Sequence, residues 1–193
     1  GLIGLKYKTG NNIVARSVVK TSYFKLFEEL SATYDVTVFP FDWRKPLTES
    51  ADDLNEKIKE LLNYRQPIKL IGHSMGGVLV RDFILKHNAT WQKLNDRDGF
   101  KLLFLGSPLG GSHRILTVLF GKDAIIKKLS KLDLFHSKRR LVEMFSQFPG
   151  ILALLPLTTG PGQDFAEIKT WQDMFDVFGK KRWPLPTARS CRI

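Results

Sequence analysis

Residues 69–80 read KLIGHSMGGVLV, an apolar run that ends at Gly72, a single serine after His73, then two glycines opening a second apolar run. Gly72-His73-Ser74-Met75-Gly76 fits the pattern G-x-S-x-G. The pattern alone is short, and its surroundings give it weight. "PIKLIG" before it predicts a β-strand, and "MGGVLVRDFILKH" after it predicts a helix ending near His87. A serine at such a strand-to-helix turn is a candidate nucleophile elbow. Ser74 is then the nucleophile, held in a strained conformation that projects its hydroxyl. Gly72 and Gly76 are the small residues that let strand and helix approach. The Met75 backbone N–H, at the helix start, is placed to stabilise a developing oxyanion, a role commonly worth roughly 10²–10³ in rate. A phosphate loop and a dinucleotide-binding turn are both excluded by glycine spacing. His73 neighbours the serine in sequence but points away from its hydroxyl, and reads as packing rather than as the base.

Working outward, apolar spacing predicts helices over residues 21–31 and 49–63. In the second, Leu54, Ile58, Leu61 and Leu62 form the stripe. The β-rich "DVTVF" at 35–39 and "FKLLFLG" at 100–106 add two strands to the one before Ser74. Helices thus alternate with three strands, which predicts an α/β fold with a parallel sheet. After residue 112 no clean strand follows. Leu141, Val142, Phe145 and Phe148 share one helical face. The expected organisation is a core segment over 1–112 and a helical cap over 113–193.

Composition narrows the function classes. The chain has 193 residues, a net charge of +11 and one cysteine, so an internal disulfide is excluded. No apolar run approaches the roughly 18 residues of a membrane span. No metal cluster or cofactor motif is present, so neither a metal nor a cofactor is expected. The positive surplus suits an anionic surface. No zinc finger, RNA-binding signature or continuous basic helix accompanies it, and no nucleic-acid partner is expected. Basic residues concentrate at Lys127, Lys128, Lys131, Lys138, Arg139 and Arg140, interleaved with Leu and Phe, and again over 180–192. That pattern reads either as an interfacial helix meeting anionic membrane or as a solvated face. No feature fixes a compartment; a cytoplasmic or membrane-peripheral site is the working expectation.

Three stretches taken together resemble one family: "VTVFPFDWRKPL" at 36–47, "IGHSMGGVLVRDF" at 71–83 and "FLGSPLGGSHRIL" at 104–116. In this order and spacing the chain resembles the lecithin:cholesterol acyltransferase family of α/β-hydrolases. The matching positions are Asp42, Trp43 and Arg44, the elbow, and Gly106, Ser107, Pro108, Gly110, Gly111 and Ser112. "MFSQFPGILALLP" at 144–156 resembles the family's aromatic cap segment less specifically. The resemblance implies an acyl ester on Ser74, a G-S-P loop near the site's rim, and a cap over an acyl-binding groove. Asp42 and Arg44 read as structural, an ion pair pinning the loop.

The fold's chain order is Ser, then Asp or Glu, then His, each after a later strand. No such strand follows residue 106. Asp123, Asp133, Asp164, Asp173 and Asp176 have none to place them. His87 ends the helix leading away from the elbow; His113 follows the G-S-P loop and could approach the site, but it and His136 read as surface or rim residues. The strand expected before the first helix is also missing, unless "GLIGL" at 1–5 is its remnant. The chain therefore reads as a segment of a longer enzyme, incomplete at both ends and inactive alone. A degenerate relative is the rival explanation. The expected function is a serine acyl hydrolase or O-acyltransferase acting on lipid or other acyl-ester substrates. A non-catalytic lipid-surface module and a small-molecule esterase are the alternatives.

Overall fold

The computed structural model describes residues 15–132, 137–157, 160 and 164–177. Asp133, His136, "GLIGL" and the basic run at 180–192 lie outside the described residues. The described chain divides into two compact units, one ending at Asp42 and one beginning at Trp43.

The first unit contains helix α1 (Lys20–Ser31), within a residue of its expected start. The segment after it is a correction to the sequence reading. Residues 35–39 form no strand, and the described sheet has two strands rather than three. Val36, Val38 and Phe39 have the propensity, but a strand exists only through its ladder, and no described strand lies beside this one.

The second unit is built on a β-α-α-β segment. Strand β1 (Lys69–His73) runs into α3 (Met75–Lys86), then α4 (Asn88–Asn95), then β2 (Lys101–Leu105). The strands pair in parallel, Lys69 opposite Lys101 through His73 opposite Leu105. A parallel pair needs a long crossover, and the two helices supply it. Helix α2 (Leu47–Leu62) packs on α3, burying Leu47, Ala51, Leu54 and Ile58 against a helix whose Val78, Leu79, Val80 and Phe83 are buried. The α2 stripe thus starts a turn earlier than its sequence suggests, and Leu61 and Leu62 are only half-buried. Leu103 of β2 is 49% exposed, unusual for a parallel strand.

Residues after 112 are helical wherever described: α5 (Arg114–Leu119), α6 (Ala124–Leu132), α7 (Lys138–Phe145), α8 (Pro149–Leu152) and α9 (Ile168–Val177). Helices α5 to α8 pack around a core in which Val118, Ile126, Leu141, Val142, Phe145 and Phe148 are buried together. The four residues predicted to share a face of "HSKRRLVEMFSQF" are all within it. A second aromatic group joins Phe120 to Phe175 at 5.2 Å and Phe165 to Trp171 at 5.6 Å between ring centroids. The β-strands and these helices belong to the same compact unit.

Candidate active site

The β1–α3 junction carries an unusual backbone. Ser74 has φ 52° and ψ −124°, the one positive φ at a non-glycine residue among the described residues. Such a conformation costs about 1–3 kcal/mol and persists only where its surroundings impose it. Here the Ser74 N–H donates to the Leu105 carbonyl of β2 at 2.9 Å, and the Gly77 N–H donates to the Ser74 carbonyl at 3.1 Å. Ser74 occupies the N-cap of α3, a position where a serine hydroxyl usually accepts from the helix's first N–H groups. It makes no such bond, and the residue is exposed. The strained backbone therefore turns the hydroxyl away from capping. Met75, the first residue of α3, brings one of the N–H groups that have no acceptor within the helix.

The glycines divide their work differently from the motif. A Cβ on Gly72 would lie 2.9 Å from the Gly77 Cα, so Gly72 is needed for the close approach of strand and helix. A Cβ on Gly76 would meet nothing within 4 Å, which corrects the steric role expected of that residue. The tight position is Gly77, where a Cβ would fall 2.1 Å from the Ser107 Oγ and 2.4 Å from its Cβ. The pattern G-x-S-x-G does not include Gly77, although the doubled glycine was a visible signal. Ser107 in turn donates its hydroxyl to the Gly72 carbonyl at 2.9 Å.

The loop over 106–112 connects this junction to the helices after residue 112. Arg81 of α3 donates to the Leu109 carbonyl at 2.7 Å. The Ser112 N–H donates to Leu154 at 2.8 Å and the Leu157 N–H to Gly110 at 3.1 Å. Gly111, at φ 86°, passes so close to Leu155 that a Cβ would meet its carbonyl oxygen at 2.3 Å. The segment at 43–45 makes a second connection. Trp43 stacks on Phe145 at 5.9 Å and meets Phe148 edge-on at 5.5 Å. Arg44 is buried. A Cβ on Gly150 of α8 would lie 2.2 Å from the Trp43 carbonyl oxygen and 2.9 Å from the Met75 Cε. Helix α8 thus sits against both the residue after the serine and the 43–45 backbone.

No described carboxylate–histidine pair completes the elbow. His87 Nε2 lies 2.8 Å from Asp52 Oδ1, the arrangement of a catalytic base and its orienter. It stands at the far end of α3, twelve residues beyond Met75, or about 18 Å along the axis. His73 and His113 are exposed, as are Asp173 and Asp176. Asp123 is committed elsewhere: Arg114 Nε donates to it at 2.9 Å and the Ile125 N–H at 2.8 Å. The Arg114 guanidinium, with that N–H second, holds the Asp123 carboxyl below the usual carboxylate range. Asp164 accepts from the Ala166 N–H at 2.9 Å. Among the described residues no cluster of three His, Cys, Asp or Glu is placed to hold a metal, and no helix is long and apolar enough to cross a membrane.

Comparison with known proteins agrees with the three quoted stretches. The chain is 33% identical to the phosphatidylcholine-sterol acyltransferase of Gallus gallus over 61% of its own length and 29% of the relative's. It is 34% identical to that of Rattus norvegicus over 67% and 32%. The lysosomal phospholipase A and acyltransferase of Mus musculus is 33% identical over 46% and 22%. The chain spans less than a third of the length of these curated relatives. No solved structure matches it. The family model described as lecithin:cholesterol acyltransferase matches residues 16–178, and the chain belongs to that family.

Proposed function

We propose that Ser74 is the nucleophile of a lipid acyl hydrolase or O-acyltransferase, and that the chain contributes the elbow and cap segments of that enzyme. The observation that carries this reading is the backbone of Ser74: a positive φ at a serine whose hydroxyl does not cap the helix it begins. Two relatives named for acyl transfer, one of them also for phospholipase A activity, support the substrate class.

In the proposed reaction a general base removes the Ser74 proton as Oγ attacks the ester carbonyl carbon. The Met75 N–H donates to the resulting oxyanion. Collapse of the intermediate breaks the bond to the leaving alkoxide, which takes the proton from the base, and leaves the acyl group on Ser74. Water or an acceptor alcohol then attacks that ester by the reverse proton path and frees the serine. The chain spans less than a third of the length of its curated relatives, so activity is assigned to the whole protein.

The cap supplies a surface suited to lipid. Helix α6 exposes Lys127, Lys128 and Lys131 together with Ile125, 47% exposed, while Ile126 is fully buried. An apolar side chain among cations suits an interface with anionic headgroups. An active-site-directed fluorophosphonate, applied to the complete protein, tests the chemistry. It should label Ser74, and Ser74→Ala should abolish both labelling and ester turnover. Turnover that survives Ser74→Ala refutes the reading; binding to lipid vesicles without any labelling favours a non-catalytic module instead.

A further inference from the structure

The elbow's strain has to be held from outside, and β2 together with the loop after it does so at two points. Leu105, the last residue of β2, accepts the Ser74 N–H. Two residues on, the Ser107 hydroxyl reaches back to the Gly72 carbonyl, two residues before Ser74. These contacts bracket the strained residue on its N-terminal side. The bond from the Gly77 N–H to the Ser74 carbonyl closes the other side. Ser107 also lies directly over Gly77, so one small side chain touches both the strand leaving the elbow's start and the first turn of α3.

Resting on the reading of Ser74 as nucleophile, we propose that Ser107 is a positioning residue for it. The hydroxyl fixes the orientation of the peptide that leads into the turn. Without it, the strand end gains freedom to relax toward an ordinary φ, and the fraction of molecules presenting Oγ falls. A loss of correct placement lowers the rate of the chemical step while leaving substrate contacts elsewhere intact. The expected signature is therefore a reduced kcat at unchanged KM. A neutral hydrogen bond of ordinary strength corresponds to roughly a three- to tenfold loss.

The experiment compares wild type, Ser107→Ala and, as a stability control, Ile58→Val, a variant in the α2 core outside the proposed site. Each complete protein is assayed well below its melting temperature for ester turnover and for the rate constant of fluorophosphonate labelling at Ser74. Ser107→Ala should lose about three- to tenfold in both kcat and labelling rate, with KM unchanged. Ile58→Val should react like wild type although it too is destabilised. Wild-type labelling and turnover in Ser107→Ala overturn the positioning role alone. A loss shared equally by Ile58→Val also overturns it, since the effect is then one of general stability. Absence of labelling in the wild-type protein overturns the nucleophile reading and this inference with it.

Discussion

Adjacent glycines at the start of α3 are predicted to respond in opposite directions to the same substitution. Gly77→Ala places a Cβ 2.1 Å from the Ser107 Oγ, 2.4 Å from the Ser107 Cβ and 2.9 Å from the Phe104 Cδ1. Those distances are well inside contact, so α3 or the 106–107 backbone must move. Overpacking of this kind costs about 1–3 kcal/mol. Alanine's better helix propensity returns up to about 1 kcal/mol. With about 1 kcal/mol returned, the net loss is up to about 2 kcal/mol, and for a chain of this size the melting temperature should fall by up to roughly 8 °C. Gly76→Ala meets nothing within 4 Å, so only the propensity term acts, and stability should rise by up to about 1 kcal/mol. Ser107→Gly removes both of the nearest atoms. In that background Gly77→Ala should cost about 1 kcal/mol less than in the wild type, a coupling readable from a double-mutant cycle of urea midpoints. Equal effects of alanine at 76 and 77, or additivity between positions 77 and 107, would refute the placement of the loop over the elbow.

Two further outcomes follow from charges. Lys86 chiefly, and His87 after it, hold the Asp52 carboxyl below its ordinary value. A carboxylate depressed in the folded state adds stability above the unfolded value near about 4 and loses it as pH falls through the folded value. Urea midpoints of wild type and Asp52→Asn should therefore separate above about pH 4 and converge in stronger acid; parallel curves would show that the α2–α3 pair carries no linkage. At the proposed lipid surface, the double variant Lys127→Gln with Lys128→Gln should bind phosphatidylserine-containing vesicles about 30-fold more weakly, at roughly 1 kcal/mol per lysine. Added salt should shrink that difference, and unaltered sedimentation with the vesicles would exclude α6 from the contact.

How much of this was legible in the sequence depended on whether the determining contacts are local. Strands β1 and β2 and helix α3 were readable because apolar runs and turn residues stand next to one another in the chain. Helix α4 was not: its eight residues bury Thr90 and Leu94 without a long apolar stripe. The run at 35–39 has strand propensity and no ladder among the described residues, and propensity cannot supply a neighbour.

The elbow shows the same limit at finer scale. The pattern G-x-S-x-G located Ser74, and the doubled glycine was visible beside it. Which glycine must stay small is decided by Ser107, thirty residues beyond Gly77, whose hydroxyl bonds a carbonyl 35 residues back. A serine in an isolated turn would relax to a negative φ, because the strain of about 1–3 kcal/mol has no local compensation. The compensation comes from Leu105 and Ser107, on the neighbouring strand and its loop. The motif thus marks where a nucleophile can stand. Whether the backbone keeps it there is a property of the parallel pairing of β1 with β2, and substitutions at 107 test that property more directly than substitutions within the motif.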